Sequence, residues 1–176
     1  MDSTDMKRRE FLRHSSWAAT GATLAAMLVP LRLAGAATPN ADPFYANAFT
    51  DLEGRHVNVS QYLGKPLIMN FWATWCAPCV KEMPDLDALH SRYKDMNFVG
   101  LAVDTPVNVE KFIKKVQVSY PLLIGGHGAI QLMRALGNKQ GGLPFTVVFD
   151  ANGHIVERVL GAIKPVEFEQ RLKHLI

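Results

Sequence analysis

Only two of the 176 residues are cysteine, Cys76 and Cys79, and that scarcity closes off several chemistries. There is no second cysteine pair and no closely spaced histidine pair among His14, His56, His90, His127, His154 and His174, so the pattern does not supply the four Cys/His ligands of a structural zinc site. A cross-link between residues this close removes little chain entropy, which argues against a purely structural disulfide. The chain also lacks internal repeats and a second linker, so one domain from about Asp42 to Ile176 is the simplest division. Its apolar stretch near the front falls short of the roughly 20 residues of a membrane span and is broken by Pro30 and Arg32.

That front segment has an order of its own. Lys7-Arg8-Arg9-Glu10-Phe11-Leu12-Arg13 is charged, Trp17–Val29 is mildly apolar, and Ala34-Gly35-Ala36 closes it with small residues, the sequence of features of an export signal with an A-x-A cleavage site. The paired Arg8-Arg9 before Phe11-Leu12 resembles a twin-arginine signal, whose route carries folded proteins. Residues 1–36 are therefore expected to be the signal, 37–43 a flexible lead-in and 44–176 the working domain; an uncleaved signal would serve as a membrane anchor. Residues 1–36 hold five positive and three negative side chains, so they carry +2 of the net +3 and leave the rest near +1. No basic field remains to recruit nucleic acid or anionic lipid. Export would place the protein in the periplasm, where an oxidising environment does not leave a cysteine pair reduced without an electron supply.

What the chain does have is Trp75-Cys76-Ala77-Pro78-Cys79, directly after the apolar run Leu67–Trp72. The spacing permits a reversible disulfide within one helical turn. A helix starting near Cys76 would set that thiol beside unpaired backbone N–H groups, where the dipole stabilises a thiolate, with Cys79 one turn later and better shielded. Soft thiolates also suit Cu(I), so a copper-carrying role for the same pair stays open on this ground alone.

The remaining pattern alternates strands and helices. Strands are expected at Val57–Val59, Leu67–Trp72, Phe98–Val103 and Pro121–Ile124, with helices at Ala77–Tyr93, Val109–Val116 and Ile130–Leu136, and Ser60 as a cap for one helical turn. Phe145–Phe149 and Ile155–Leu160 flank an Asn152-Gly153 hairpin signal, and Phe168–Ile176 reads as a last helix. This order gives an α/β protein, a mixed central sheet with helices on both faces. The cysteines then lie beyond the carboxyl end of a central strand, the edge where open α/β sheets place their reactive sites. Trp75, Cys79, Glu82, Leu86, Leu89 and Tyr93 recur every three or four residues and so form one helical stripe. A carboxylate within that stripe should be at least partly buried, which raises its pKa and makes Glu82 a candidate proton acceptor for Cys79. The six histidines fall on loops or polar helix faces, Lys111, Lys114 and Lys115 form an exposed face, and Trp72 and Trp75 are placed to shield the cysteines.

Asn70–Cys79, followed by Glu82, Met83 and Pro84 and later by Gly142-Leu143-Pro144-Phe145-Thr146, resembles the thioredoxin superfamily, and more narrowly its exported TlpA/ResA-like thiol-disulfide oxidoreductases, some of which serve cytochrome c maturation. The resemblance spans essentially all of the chain after the front segment. It implies a thioredoxin-like fold, Cys76 as nucleophile, Cys79 as resolving thiol, and Glu82 in place of the buried acid that thioredoxin carries where this chain has Asn70. It further implies that Pro144 is cis and stands beside the cysteines, and that Trp75, Ala77, Pro78, Leu143 and Pro144 receive the client. The chain is thus expected to exchange disulfides with client proteins. No cofactor beyond the redox-active pair and no metal is expected, and the protein should act as a monomer re-reduced by a membrane electron donor. Ala77-Pro78 offers no cationic donor to the Cys76 thiolate, which points toward the reducing end of the scale, near thioredoxin's roughly −270 mV. A thiol peroxidase on the same core fold and a Cu(I) metallochaperone are the alternatives.

Overall fold

The structure, a computed structural model, describes residues Asn40–Leu175. The signal expected at 1–36 and the start of the lead-in lie outside the described residues. Seven strands form one mixed sheet: β1 (Ala48–Asp51), β2 (His56–Asn58), β3 (Leu67–Trp72), β4 (Asn97–Ala102), β5 (Leu122–Ile124), β6 (Phe145–Phe149) and β7 (Ile155–Leu160), in the order β2-β1-β5-β4-β3-β6-β7. The four α-helices among the described residues are α1 (Ala77–Arg92), α2 (Pro106–Ile113), α3 (Ala129–Ala135) and α4 (Pro165–Leu172).

β3 is central because every one of its residues is buried, so both faces must be covered. It runs parallel to β4 and antiparallel to β6. Ile68 and Trp72 pack on one face with Cys79, Met83 and Leu86 of α1, Val109 of α2 and Phe168 of α4. Met69 and Phe71 pack on the other with Phe44, Tyr45, and Ala129 and Met133 of α3. The mixed sheet with helices on both faces agrees with the sequence expectation.

Several boundaries differ. β1 has no distinct pattern of its own and exists through pairing with β2 and β5. α2 begins at Pro106 rather than Val109, because the Thr105 hydroxyl accepts from Asn108 N–H at 3.3 Å and Pro106 needs no N–H in the first turn. α4 likewise opens at Pro165 and gives way after Leu172 to a 3₁₀ turn, Lys173–Leu175. The cap position expected at Ser60 falls to Asn58, whose side chain makes no capping bond. In the lead-in, the Asp42 carboxylate caps the 3₁₀ turn Pro43–Ala46, and Asp42 N–H donates to Gly153 O at 3.0 Å. Gly153 has φ +86, and a Cβ there would stand 2.9 Å from Ala41, Leu63 and Tyr45 side chains, so glycine is required twice over.

Candidate active site

The site starts where β3 ends. The chain turns through Ala73–Cys76, closed by Cys76 N–H donating to Ala73 O at 3.1 Å, and delivers Cys76 to the cap position of α1. There its Sγ accepts from Cys79 N–H at 3.3 Å. Ala77 and Pro78 fill the first helical positions, where proline's missing N–H costs nothing, and both are exposed. Cys76 and Cys79 are joined as a disulfide with Cα atoms 5.3 Å apart. Cys79 is fully buried and Cys76 is 5% exposed, so the shielding order follows the expectation.

Glu82, one turn on, is buried at 3% exposure. Its Oε1 accepts from Asn70 Nδ2 at 2.8 Å and its Oε2 from the Ile163 N–H at 2.9 Å. Asn70 Nδ2 also donates to Thr146 Oγ1 at 3.0 Å, across the β3–β6 register in which Asn70 and Thr146 are direct partners. Burial raises the Glu82 pKa and Asp85 adds to it, while the bonds from Ile163 and Asn70 pull the other way. The outcome is a carboxyl held above the ordinary glutamate value, within one helical turn of Cys79 and on the same face. Thr146 and the Ile163 amide are not visible as partners in the sequence, since they come from distant segments; the only local signal is Asn70 standing inside an apolar strand.

The Leu143–Pro144 peptide bond is cis. Phe145 pairs with Phe71, so Pro144 comes level with the end of β3, beside the turn that carries Cys76. Gly161 N–H donates to Pro144 O at 2.9 Å, and half-buried Leu143 borders an open groove of about 500 Å³ between Asn138–Gln140 and Leu160. Leu160 is 68% exposed.

Two expectations need correction. Trp75 does not shield the cysteines: it is 68% exposed, because it belongs to the turn before α1 and the helical phase does not reach it. Trp72 does pack inside, 5.2 Å from the Phe112 ring. His90 is not on a polar face; it is half-buried edge-on to Phe98 and Tyr120, and burial, with Lys94, lowers its pKa against the pull of Asp87. Among the described residues no group of three or more His, Cys, Asp or Glu side chains is arranged to hold a metal ion. None of their helices is long and apolar enough to cross a membrane.

The sequence profile of the AhpC/TSA family matches residues 39–158. The thiol-disulfide oxidoreductase ResA of Geobacillus thermodenitrificans is 33% identical over 161 residues, spanning 90% of this chain and 88% of that protein. Among solved structures, a thiol:disulfide interchange protein of the thioredoxin family from Chlorobium tepidum superposes with a TM-score of 0.62 at 28% identity, over 77% of this chain and 98% of that one. A secreted Mycobacterium tuberculosis disulfide oxidoreductase homologous to E. coli DsbE shares the fold, with a TM-score of 0.65 at 24% identity over 77% of this chain and all of the other.

Proposed function

Because this chain belongs to the AhpC/TSA family, has a thioredoxin-like fold and is a thiol-disulfide oxidoreductase, we propose that it acts outside the cytoplasm as a reductant of client-protein disulfides, with cytochrome c maturation as its setting. The observation that carries the mechanistic part is the buried Glu82 carboxyl on the Cys79 face of α1. The Cys76 thiolate attacks one sulfur of a client disulfide; a Cys76–client disulfide forms and the other client sulfur leaves as a thiolate. Glu82 takes the proton of Cys79, whose thiolate attacks Cys76 Sγ, releases the second client thiolate and regenerates the Cys76–Cys79 disulfide. The client gains two electrons and the protein loses them, so a membrane dithiol donor must reduce the pair before the next cycle. Half-buried Leu143, set by the buried cis Pro144 that follows it, forms with exposed Trp75, Ala77 and Pro78 the surface on which the client segment rests.

Support for the reducing direction comes from the absence of any cationic donor to Cys76 in Ala77-Pro78. The export reading rests on the Arg8-Arg9 segment and Ala34-Gly35-Ala36. Cys79→Ser leaves the first step intact and blocks the second, so it should accumulate clients covalently on Cys76, visible as adducts released by dithiothreitol. An absence of adducts from periplasmic extracts, with Cys76 still reactive toward a model disulfide, would sink the client reading. Peroxide turnover faster than disulfide reduction would replace it with a peroxidase.

A further inference from the structure

β3 and β4 run parallel with Trp72 opposite Ala102, so the two chains leave the sheet side by side. Just past that edge stands Asp104, 3% exposed, with a carboxylate surrounded by four donors. Oδ2 accepts from Thr74 N–H at 3.0 Å and from the Thr74 hydroxyl at 2.6 Å. Oδ1 accepts from Thr105 N–H at 2.7 Å and from Asn108 Nδ2 at 2.8 Å. Burial acts to raise its pKa, but the bonds from Thr74, Asn108 and Thr105 outweigh it and hold the group below the ordinary aspartate value, an anion at neutral pH. One oxygen therefore anchors the start of α2 and the other anchors the Ala73–Cys76 turn.

Two backbone bonds hold that turn, Cys76 N–H to Ala73 O and Val80 N–H to Cys76 O, both at 3.1 Å. Its other restraint is the disulfide, which the catalytic cycle opens. The geometry points to Asp104 as a positioning residue of the redox pair, the group that keeps Cys76 at the N-terminus of α1 once the disulfide is broken. The inference rests on the reading of Cys76 as the attacking thiol, because a Cys76 thiolate is stabilised by Cys79 N–H and the helix dipole only while it holds the cap position. In the oxidised protein the S–S bond, Asp104 and these backbone bonds restrain the turn together; in the reduced protein the S–S restraint is gone and the turn depends more heavily on Asp104. Weakening the clamp must then disfavour the reduced form more than the oxidised one, and by linkage the thiol-disulfide equilibrium shifts toward the disulfide. The ionisable groups nearest Cys76 along its own helix are Cys79, exposed Lys81, Glu82 and exposed Asp85; the neighbouring segments add Asp104 beyond β4, exposed Lys139 in the loop before Leu143 and exposed Lys164 beside Ile163.

The test compares the full-chain protein with Asp104→Asn, which cannot accept at both positions, and with Thr74→Val, which removes only the hydroxyl bond and leaves the carboxylate charge in place. The Cys76 thiol pKa is read from the pH dependence of iodoacetamide alkylation, and the disulfide fraction from glutathione buffers. Asp104→Asn should raise the thiol pKa and move the equilibrium at least about threefold toward the disulfide, about 15 mV more negative. Thr74→Val should move both in the same direction by less, and it carries the test if Asp104→Asn does not fold. A carboxylate acting through its charge gives the opposite signs in Asp104→Asn and no effect in Thr74→Val, which overturns the proposal. Equal loss of Tm in both redox forms with neither the pKa nor the equilibrium moved overturns it as well. No client enters these measurements, so their failure is separate from failure of the client reading.

Discussion

Glu82 shows how far a single residue can be read from its neighbours. The helical stripe through Cys79, Leu86 and Leu89 correctly foretells burial, because side chains three and four apart share a face. It says nothing of Asn70, Thr146 or the Ile163 amide, which reach Glu82 through strand register and chain return. Raised above the ordinary glutamate value, Glu82 has a signed effect on stability. Below the usual pKa of about 4.3 it is protonated in both folded and unfolded chains; as the pH climbs from there through the folded pKa, the unfolded chain loses its proton first and native stability falls. Urea titrations across this range should show Glu82→Gln gaining on the wild type with rising pH and levelling off above the folded pKa. A pH-independent difference would mean that Glu82 titrates normally. In the same variant, the step in which Cys79 displaces the client should slow by about 10²-fold in stopped-flow measurements, at the lower end for loss of a general base.

At the level of elements, the long α1 and the buried strands were legible because their periods are sustained, and Pro84 leaves α1 continuous from Ala77 to Arg92 with Cys79, Glu82, Leu86 and Leu89 still in phase. β1 was not legible: Ala48–Asp51 becomes a strand only because β2 and β5 present edges to it. The starts of α2 and α4 were legible in principle from Thr105-Pro106 and Pro165, signals that apolar periodicity overlooks. Packing between sheet and helix gives its own prediction at Gly100 of β4, on the face that carries Trp72. A Cβ there would lie 2.6 Å from Leu122 Cδ2, 3.1 Å from Trp72 Nε1 and 3.2 Å from Tyr120 Cε2. The leucine tip can move, but both rings are buried, so Gly100→Ala should lower unfolding stability by about 1–3 kcal/mol in denaturant titrations. Unchanged stability would show that the rings yield freely.

For the whole molecule, the export reading belongs to the Arg8-Arg9 segment, outside the described residues. Replacing both arginines by lysine should leave the protein in the cytoplasm at its uncleaved mass, as fractionation and mass spectrometry would show; normal export would remove the twin-arginine assignment. Around the sheet, one core joins α1, α2 and α4 and the other joins α3 to the first 3₁₀ turn. The sequence by itself determined the class of fold, the redox pair at a strand-to-helix junction and a buried acid one turn beyond it, because each depends on spacing within a few tens of residues. Only the tertiary structure decided which groups hold that acid, that Trp75 faces solvent, and that Asp104 ties the Cys76 turn to α2. The partners of Glu82 and Asp104 depend on which strands lie side by side, and at what register, which is a property of the assembled sheet, while Trp75 is exposed because the turn before α1 carries it out of the helical phase.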